Sequence, residues 1–300
     1  MIDMSNVKVR TIERKDLQSI RDLIEIINRY DKMEISFPDQ MFEYLLSQPK
    51  QKENIFLAYM AEKLIGFAMC GIFGSLEKVK FELHIHPDYR KKRLGSRLFD
   101  ILMDAAHKNN AKAVEIGCKQ QAGDSVRFVE SRGFQPFEYS WKMDMELNGW
   151  EHRAMPEELH IRRVMKEDVE LYVDIMTNAF KGEGEQPFKN DIHERLFLQP
   201  NTHAFFLEKG DAVMATAAVN LEVEINRGYI YNVGVYNNYR GMGYGKLILT
   251  HCANYIKENR FSKASLIVKS ENHNALKLYK SIGFKEIETF VGYKLRINNK

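Results

Sequence analysis

The sequence predicts an α+β (α/β) protein of two tandem domains, each a mixed, mostly antiparallel twisted sheet flanked by helices. Three observations predict it: chain length, an internal repeat, and the order of segments inside each repeat. Three hundred residues suit two cores better than one, because a single hydrophobic core rarely keeps growing over such a length. Tyr89-Arg90-Lys91-Lys92-Arg93-Leu94-Gly95 aligns with Tyr239-Arg240-Gly241-Met242-Gly243-Tyr244-Gly245, and Ser131-Arg132-Gly133-Phe134 aligns with Ser281-Ile282-Gly283-Phe284. Both matches carry the same offset, 150, and self-similarity at a fixed offset marks a duplicated unit. The starts Val9-Arg10 and Ile161-Arg162, and Asp16-Leu17 and Asp168-Val169, agree at an offset of 152. These matches place an N-terminal domain at 1–147, a linker at 148–158 around Asn148-Gly149 and Pro156, and a C-terminal domain at 159–300.

The elements follow in the same order in both halves. A short strand (Val7 to Ile12; His160 to Val164) passes through an Asp into a helix (Leu17 to Tyr30; Val169 to Phe180). Two strands come next, Ile55 to Met60 and Leu64 to Ile72, matched by Ala204 to Glu208 and Ala212 to Val223. Then comes Val79 to Ile85, matched by Gly228 to Val235, in which Tyr229, Tyr231, Val233 and Val235 alternate and predict one face of a half-buried strand. A turn leads into a helix whose apolar stripe runs Tyr244, Leu247, Ile248, His251, Cys252, Tyr255 and Ile256. A strand at Ala264 to Lys269 precedes a short helix that opens at Asn274, as an N-cap, and closes at Gly283. A closing strand pair, Glu286 to Ile297, ends the domain. Mixed strands and helices in this order pack helices on a mostly antiparallel sheet.

Composition removes several function classes. Lys and Arg number 44 against 41 Asp and Glu, a net charge of +3. That is too small to argue for nucleic acid. No apolar run approaches the roughly 20 residues of a membrane span, and Met1-Ile2-Asp3-Met4-Ser5 lacks a signal-peptide core. A cytoplasmic protein with no membrane partner is expected. Cys70, Cys118 and Cys252 are scattered and odd in number, so reduced thiols and no metal are expected.

One constellation carries chemistry. Val233-Gly234-Val235 is followed, four residues on, by Arg240-Gly241-Met242-Gly243-Tyr244-Gly245-Lys246 opening a helix. A strand, a glycine-rich turn and a helix start present main-chain N–H groups at the positive end of a dipole, which suits a phosphate. The spacing is G-x-G-x-G, which fits neither the dinucleotide fingerprint nor the P-loop. The turn resembles the R/Q-x-x-G-x-G/A element of the GCN5-related N-acetyltransferases, and that family's second landmark follows in order as Asn274, Tyr279 and Gly283-Phe284.

The resemblance covers nearly the whole chain as two copies and implies acetyl transfer from acetyl-CoA to a primary amine of a small molecule or peptide, within a ternary complex. It implies that main-chain groups of Val233 and Val235 pair with the pantetheine arm, that Gly234 admits it, and that amides from Gly241 to Lys246 hold the pyrophosphate. Arg240 would shape the turn and Asn274 would bond the pantetheine arm. Tyr279 becomes the general acid for the departing thiolate, since a phenol near pKa 10 and a thiol near 8.5 exchange a proton efficiently. Glu222, Glu224 and Asn232 lie near enough to serve as a base, and nothing singles one out. A non-catalytic acyl-CoA sensor and a transferase of longer acyl chains are the competing readings.

The N-terminal copy departs from the pattern. Lys91 and Arg93 replace two glycines, Val129 stands at the Tyr279 position, and Asp124 stands at the Asn274 position. This half is therefore expected not to catalyse, a tandem organisation similar to that of the mycothiol synthases. Glu82, His84 and His86 alternate along its central strand and read equally as an acceptor pocket or an exposed face.

Overall fold

The computed structural model describes residues 6–35, 37, 39–72, 78–180, 196 and 201–297. The chain divides into two compact units, one made of 1–138 with 291–300 and the other of 139–290.

The first unit runs β1 (Val7–Thr11), α1 (Leu17–Asp31), α2 (Asp39–Ser47), α3 (Pro49–Lys52), β2 (Ile55–Met60), β3 (Lys63–Ile72), β4 (Lys78–Ile85), α4 (Leu94–Lys108), β5 (Ala113–Lys119) and α5 (Gly123–Glu130). The strands β1 to β4 pair antiparallel in chain order, and β4 pairs parallel with β5. Helix α1 forms because Ile20, Leu23, Ile24 and Ile27 recur at helical spacing, and all four are buried. Full burial of such a side chain is worth about 1.5–3 kcal/mol. The helix stops where Lys32 turns left-handed and returns its N–H to the Asn28 carbonyl. Together with Phe42, Leu57 and Phe67 this apolar face forms one core. A second core holds Leu98, Phe99 and Leu102 of α4 with Val129 and Phe134, and also Val291 and Tyr293 from the chain's end.

The second unit repeats the plan. It runs β7 (His160–Arg163), α6 (Val169–Ala179), β8 (Thr202–Lys209), β9 (Ala212–Glu222), β10 (Arg227–Val235), α7 (Tyr244–Glu258), β11 (Lys263–Lys269) and α8 (His273–Ile282). Strands β7 to β10 pair antiparallel in order and β10 pairs parallel with β11. The sheet is completed by the second part of β6 (Gln135–Glu146), which lies antiparallel to β11 from Ser140 to Glu146. Ile230, Ile248, Leu249, Cys252, Ile256, Leu266 and Phe284 centre the α7–α8 core. Val164, Tyr172, Ile175, Phe206 and Ala218 form the smaller core under α6.

The units do not divide at 148–158. Each repeat ends in one strand of 12 residues, β6 in the first and β12 (Lys285–Arg296) in the second. The expected closing pair is thus a single strand. Residues 139–146 belong to the second unit and Val291–Lys300 to the first. The stretch read as a linker is packed into the second unit: Trp150 is buried and its indole N–H donates to the Asn254 side chain at 2.9 Å. Lys257 Nζ reaches the carbonyls of Leu147 and Trp150 at 2.8 and 2.7 Å. The stretch covers Asn254 of α7, which is buried beyond the expected stripe.

Arg10 grips Asp16 with two bonds of 2.7 and 2.5 Å, and Arg162 grips Asp168 with two of 2.6 and 3.0 Å. Each unit thereby ties its first strand to the start of its first helix, so the Arg–Asp parts of the repeat are structural. The three cysteines are buried and free, and burial pushes the Cys70 thiol up to about 12 and that of Cys118 to about 11. Between β8 and α7, the rings of His203, Phe205, His251 and Tyr255 cluster within 4.6–6.4 Å of one another. Burial pulls both imidazoles down to about 4, and the Arg163 charge adds to the effect on His203. His251 Nε2 is buried with no hydrogen-bond partner among the described residues.

Candidate active site

The site is built from β10, the turn after it and the start of α7. Strand β10 keeps its antiparallel register with β9 from Arg227↔Glu222 to Tyr231↔Ala218, then resumes at Gly234↔Thr216. Two residues of β10, Asn232 and Val233, therefore face one of β9: a β-bulge. Asn232 takes a left-handed conformation (φ 53°), which asparagine tolerates better than most residues. The bulge corrects the face expected for this strand. Tyr229 and Tyr231 stack on one another, and Tyr231 packs on the α6 core, while Val233 and Val235 pack on the α7–α8 core. One extra residue reverses the alternation, which period-two counting could not anticipate. Gly234 sits just past the bulge, where an added Cβ would lie 3.0 Å from Ala179 of α6.

On its other edge β10 pairs with β11 only at Arg227, Gly228 and Tyr229. From Ile230 onward the two parallel strands separate, leaving main-chain groups of the bulged segment without a β11 partner.

The turn adds donors to that open edge. Tyr236 leads into a 3₁₀ turn, Asn237–Tyr239, followed by Arg240. Gly241 and Gly243 then adopt φ of 80° and 88°, and a Cβ on either would meet nothing within 4 Å. Conformation, not crowding inside the protein, demands glycine here, and it leaves the main chain bare on its outer side. No side chain among the described residues caps α7. Lys246 is the first residue of the helix whose N–H bonds back, to the Gly243 carbonyl at 3.0 Å. Among the described residues the amides of Gly241, Met242, Gly243, Tyr244 and Gly245 have no backbone partner and stand at the positive helix end, whereas the Lys246 N–H is bonded and its side chain is exposed. Arg240 points inward, its Nε to the Val235 carbonyl at 3.4 Å and its Nη2 to the Ala179 carbonyl. Both bonds tie the turn to β10 and α6.

The second landmark lies on α8. The cap of this helix is Asn272, whose Oδ1 accepts from Ala275 N–H at 3.1 Å. Asn274, expected as the cap, is instead an exposed first-turn residue. Tyr279 is buried on the same helix beside Phe284, ring centroids 6.1 Å apart. Of the candidate bases, Glu222 is held in an ion pair by Arg227, both side chains little exposed, and Glu224 is exposed on a 3₁₀ turn. Asn232 bonds Tyr172 and serves the bulge. Burial raises the Tyr229 phenol, and the Glu222 carboxylate adds to that shift.

The matching place in the first unit has the same backbone with different chemistry. Lys91 and Arg93 are left-handed (φ 58° and 64°), α4 begins without a side-chain cap, and Lys91 is paired with Asp124 at 2.9 Å. Strand β4 carries no bulge: its register with β3 is unbroken from Gly66↔Ile85 to Ile72↔Val79. Glu82 and His84 lie 3.7 Å apart on it, whereas His86 is beyond its end, buried, and caps a turn by accepting from Asp88 N–H. The expected row of three is a pair. Tyr172 and Thr216 behind the bulge were missed by sequence reasoning, as was the cap at Asn272; the one available signal was an asparagine inside an apolar strand.

The model of the acetyltransferase (GNAT) family matches residues 17–134 and again 169–284. The chain belongs to the GNAT family. It is a tandem GNAT protein, and an acyl-CoA-dependent N-acetyltransferase. A mycothiol acetyltransferase of Kytococcus sedentarius is 22% identical over 302 residues, covering 97% of this chain and 98% of the relative. That of Pseudarthrobacter chlorophenolicus is 24% identical over 225 residues, 71% of this chain and 68% of its own length. Among solved structures, a tandem GNAT protein from the clavulanic acid biosynthesis pathway shares the fold with a TM-score of 0.79 at 12% identity, covering 98% of this chain and 99% of that one. A GCN5-related N-acetyltransferase from Sphaerobacter thermophilus gives 0.78 at 18%, covering 98% and 96%. No helix among the described residues is long and apolar enough to cross a membrane.

Proposed function

We propose that the second unit transfers an acetyl group from acetyl-CoA to a primary amine of a small molecule or peptide, and that the first unit is not catalytic. The observation that carries the reading is the continuity of an open strand edge with an uncapped helix start, through a turn whose two left-handed glycines leave the main chain bare. That shape fits coenzyme A: donors for a diphosphate at one end, strand groups for an amide-bearing arm at the other.

In this reading the amides of Gly241, Met242, Gly243, Tyr244 and Gly245 hold the pyrophosphate, with the Lys246 side chain nearby. Main-chain groups of Val233 and Val235 hold the pantetheine arm, and the exposed Asn274 amide bonds the same arm. Acetyl-CoA, when bound, supplies an activated acyl group and a thiol leaving group. Tyr279 holds the proton for the sulfur; a buried phenol keeps that proton until a thiolate develops beside it. The bulged segment orients the acyl group, a positioning effect worth several kcal/mol. Tyr229 and Tyr231 on the opposite face form a wall for the amine. The acceptor's class is supported by the relatives whose names are mycothiol acetyltransferases, and a cytoplasmic location accords with the sequence.

The test is a screen of amines with acetyl-CoA on the full chain, read by thiol release, after calorimetry of acetyl-CoA uptake. Stoichiometric uptake and thiol release dependent on an amine are expected. No uptake by the full chain would end the proposal.

A further inference from the structure

The bulge in β10 needs a reason to persist. An extra residue in a strand leaves the ladder locally unbonded, and a residue with a side chain is disfavoured in the left-handed region. Both costs fall on Asn232. Directly behind it stands Tyr172 of α6, fully buried, and Asn232 Nδ2 donates to the Tyr172 hydroxyl at 3.1 Å. Thr216, the β9 residue opposite Gly234, marks where the normal register resumes. Thr216 is itself fixed by donating to the Phe205 carbonyl at 2.9 Å. One phenol on α6 thus holds the extra residue of β10. Burial leaves the phenol no water as an alternative partner, so the arrangement has one satisfied state.

The first unit is an internal control. At the Asn232 position it has Glu82, at the Tyr172 position Ile20, and its strand β4 runs without a bulge. The residues of the clamp and the bulge are absent together, in the copy whose turn lost its glycines and whose Tyr279 position is Val129.

We infer that Tyr172 and Asn232 are positioning residues of the acetyl-transfer site, clamping the bulge so that Val233 presents its main chain to the acyl group. The inference rests on the donor-site reading above. The turn is held separately: Arg240 bonds Ala179, and Asn237 N–H bonds the Asn178 side chain at 2.8 Å. Loosening the clamp therefore misplaces the thioester end while the pyrophosphate end stays anchored.

Three variants of the full chain test this. Tyr172→Phe removes one oxygen and keeps the ring. Asn232→Val removes both the bond and the tolerance for a left-handed backbone. Asn232→Gly restores that tolerance alone. Hydrogen exchange over residues 231–235 should quicken at least tenfold in Tyr172→Phe and Asn232→Val, with kcat lowered roughly 10- to 100-fold and the KM for acetyl-CoA within about threefold. Asn232→Gly should recover at least fivefold of the kcat lost by Asn232→Val. Unchanged exchange in Tyr172→Phe overturns the clamp. Faster exchange at unchanged kcat, or no recovery with glycine, overturns its positioning role. Absence of acetyl-CoA uptake by the unsubstituted chain would instead defeat the donor-site reading, and the exchange measurement would still decide the clamp.

Discussion

Val129 and Tyr279 occupy the same place in two copies of one short helix. Both are buried, and the carbonyl of each accepts the N–H of the phenylalanine five residues on, at 3.3 and 3.2 Å. The backbone is the same with either side chain, and the second copy adds a phenol: a ring packed on Phe284 and an ionisable hydroxyl. We expect Tyr279→Phe to keep coenzyme A binding in calorimetry and to lower kcat by roughly 10²-fold, the scale of a lost general acid. An equal rate for both forms across the pH range would remove Tyr279 from that role. This residue was legible in the sequence because its spacing from Asn274 and Gly283 is fixed by one helix. The cap at Asn272 was not, since two asparagines stand two residues apart and only the path of the chain decides which one bonds Ala275.

At the level of the element, the two glycine-turn equivalents share a backbone but not its cost. Gly241 and Gly243 adopt positive φ freely, whereas Lys91 and Arg93 hold φ of 58° and 64° against a Cβ. Replacing Lys91 or Arg93 by glycine should raise stability by about 0.5–1 kcal/mol each, read as a higher urea midpoint. A lower midpoint would show that those side chains contribute more than the strain removes. Conversely, Gly243→Leu should weaken coenzyme A binding at least tenfold in calorimetry, and Arg93→Ala should leave it unchanged. Equal losses would mean two working donor sites. The turn was readable because glycine and arginine at fixed spacing constrain the backbone locally. The bulge was not: its register depends on β9 and on a phenol 60 positions earlier in the chain. Sequence alternation assumes an unbroken strand, and hence assigned Tyr229 and Val233 to one face.

For the molecule as a whole, duplication was visible and the division into units was not. A repeat records ancestry of sequence, while a compact unit records which segments share a core; here Val291 and Tyr293 end the second repeat and fill the first unit's core. Stability should also carry a pH signature. His203 and His251 are held near 4 when folded, below the ordinary value of about 6.5. The unfolded chain then takes up protons that the fold refuses, so stability is full above pH ~6.5 and falls as pH drops towards ~4. A loss of about 2–4 kcal/mol for the pair is expected after solvent screening. Urea titrations at pH 7 and 4.5 measure it, and His251→Phe should remove about half of the difference. A flat profile would refute the burial argument. The carboxylates of Asp16 and Asp168, lowered mainly by their arginine partners once the opposing desolvation is overcome, lose their contribution only below about 4 and so fall outside this window.

The traded last strands also bear on how the protein is made. A ribosome delivers residues in order, and the first core waits for Val291 and Tyr293, which follow the whole of the second unit. The second unit, continuous from 139 to 290, can finish folding first, while the first stays incomplete until Val291 and Tyr293 have been made. A cut between the two repeats would yield two fragments, each missing a rib that the other carries.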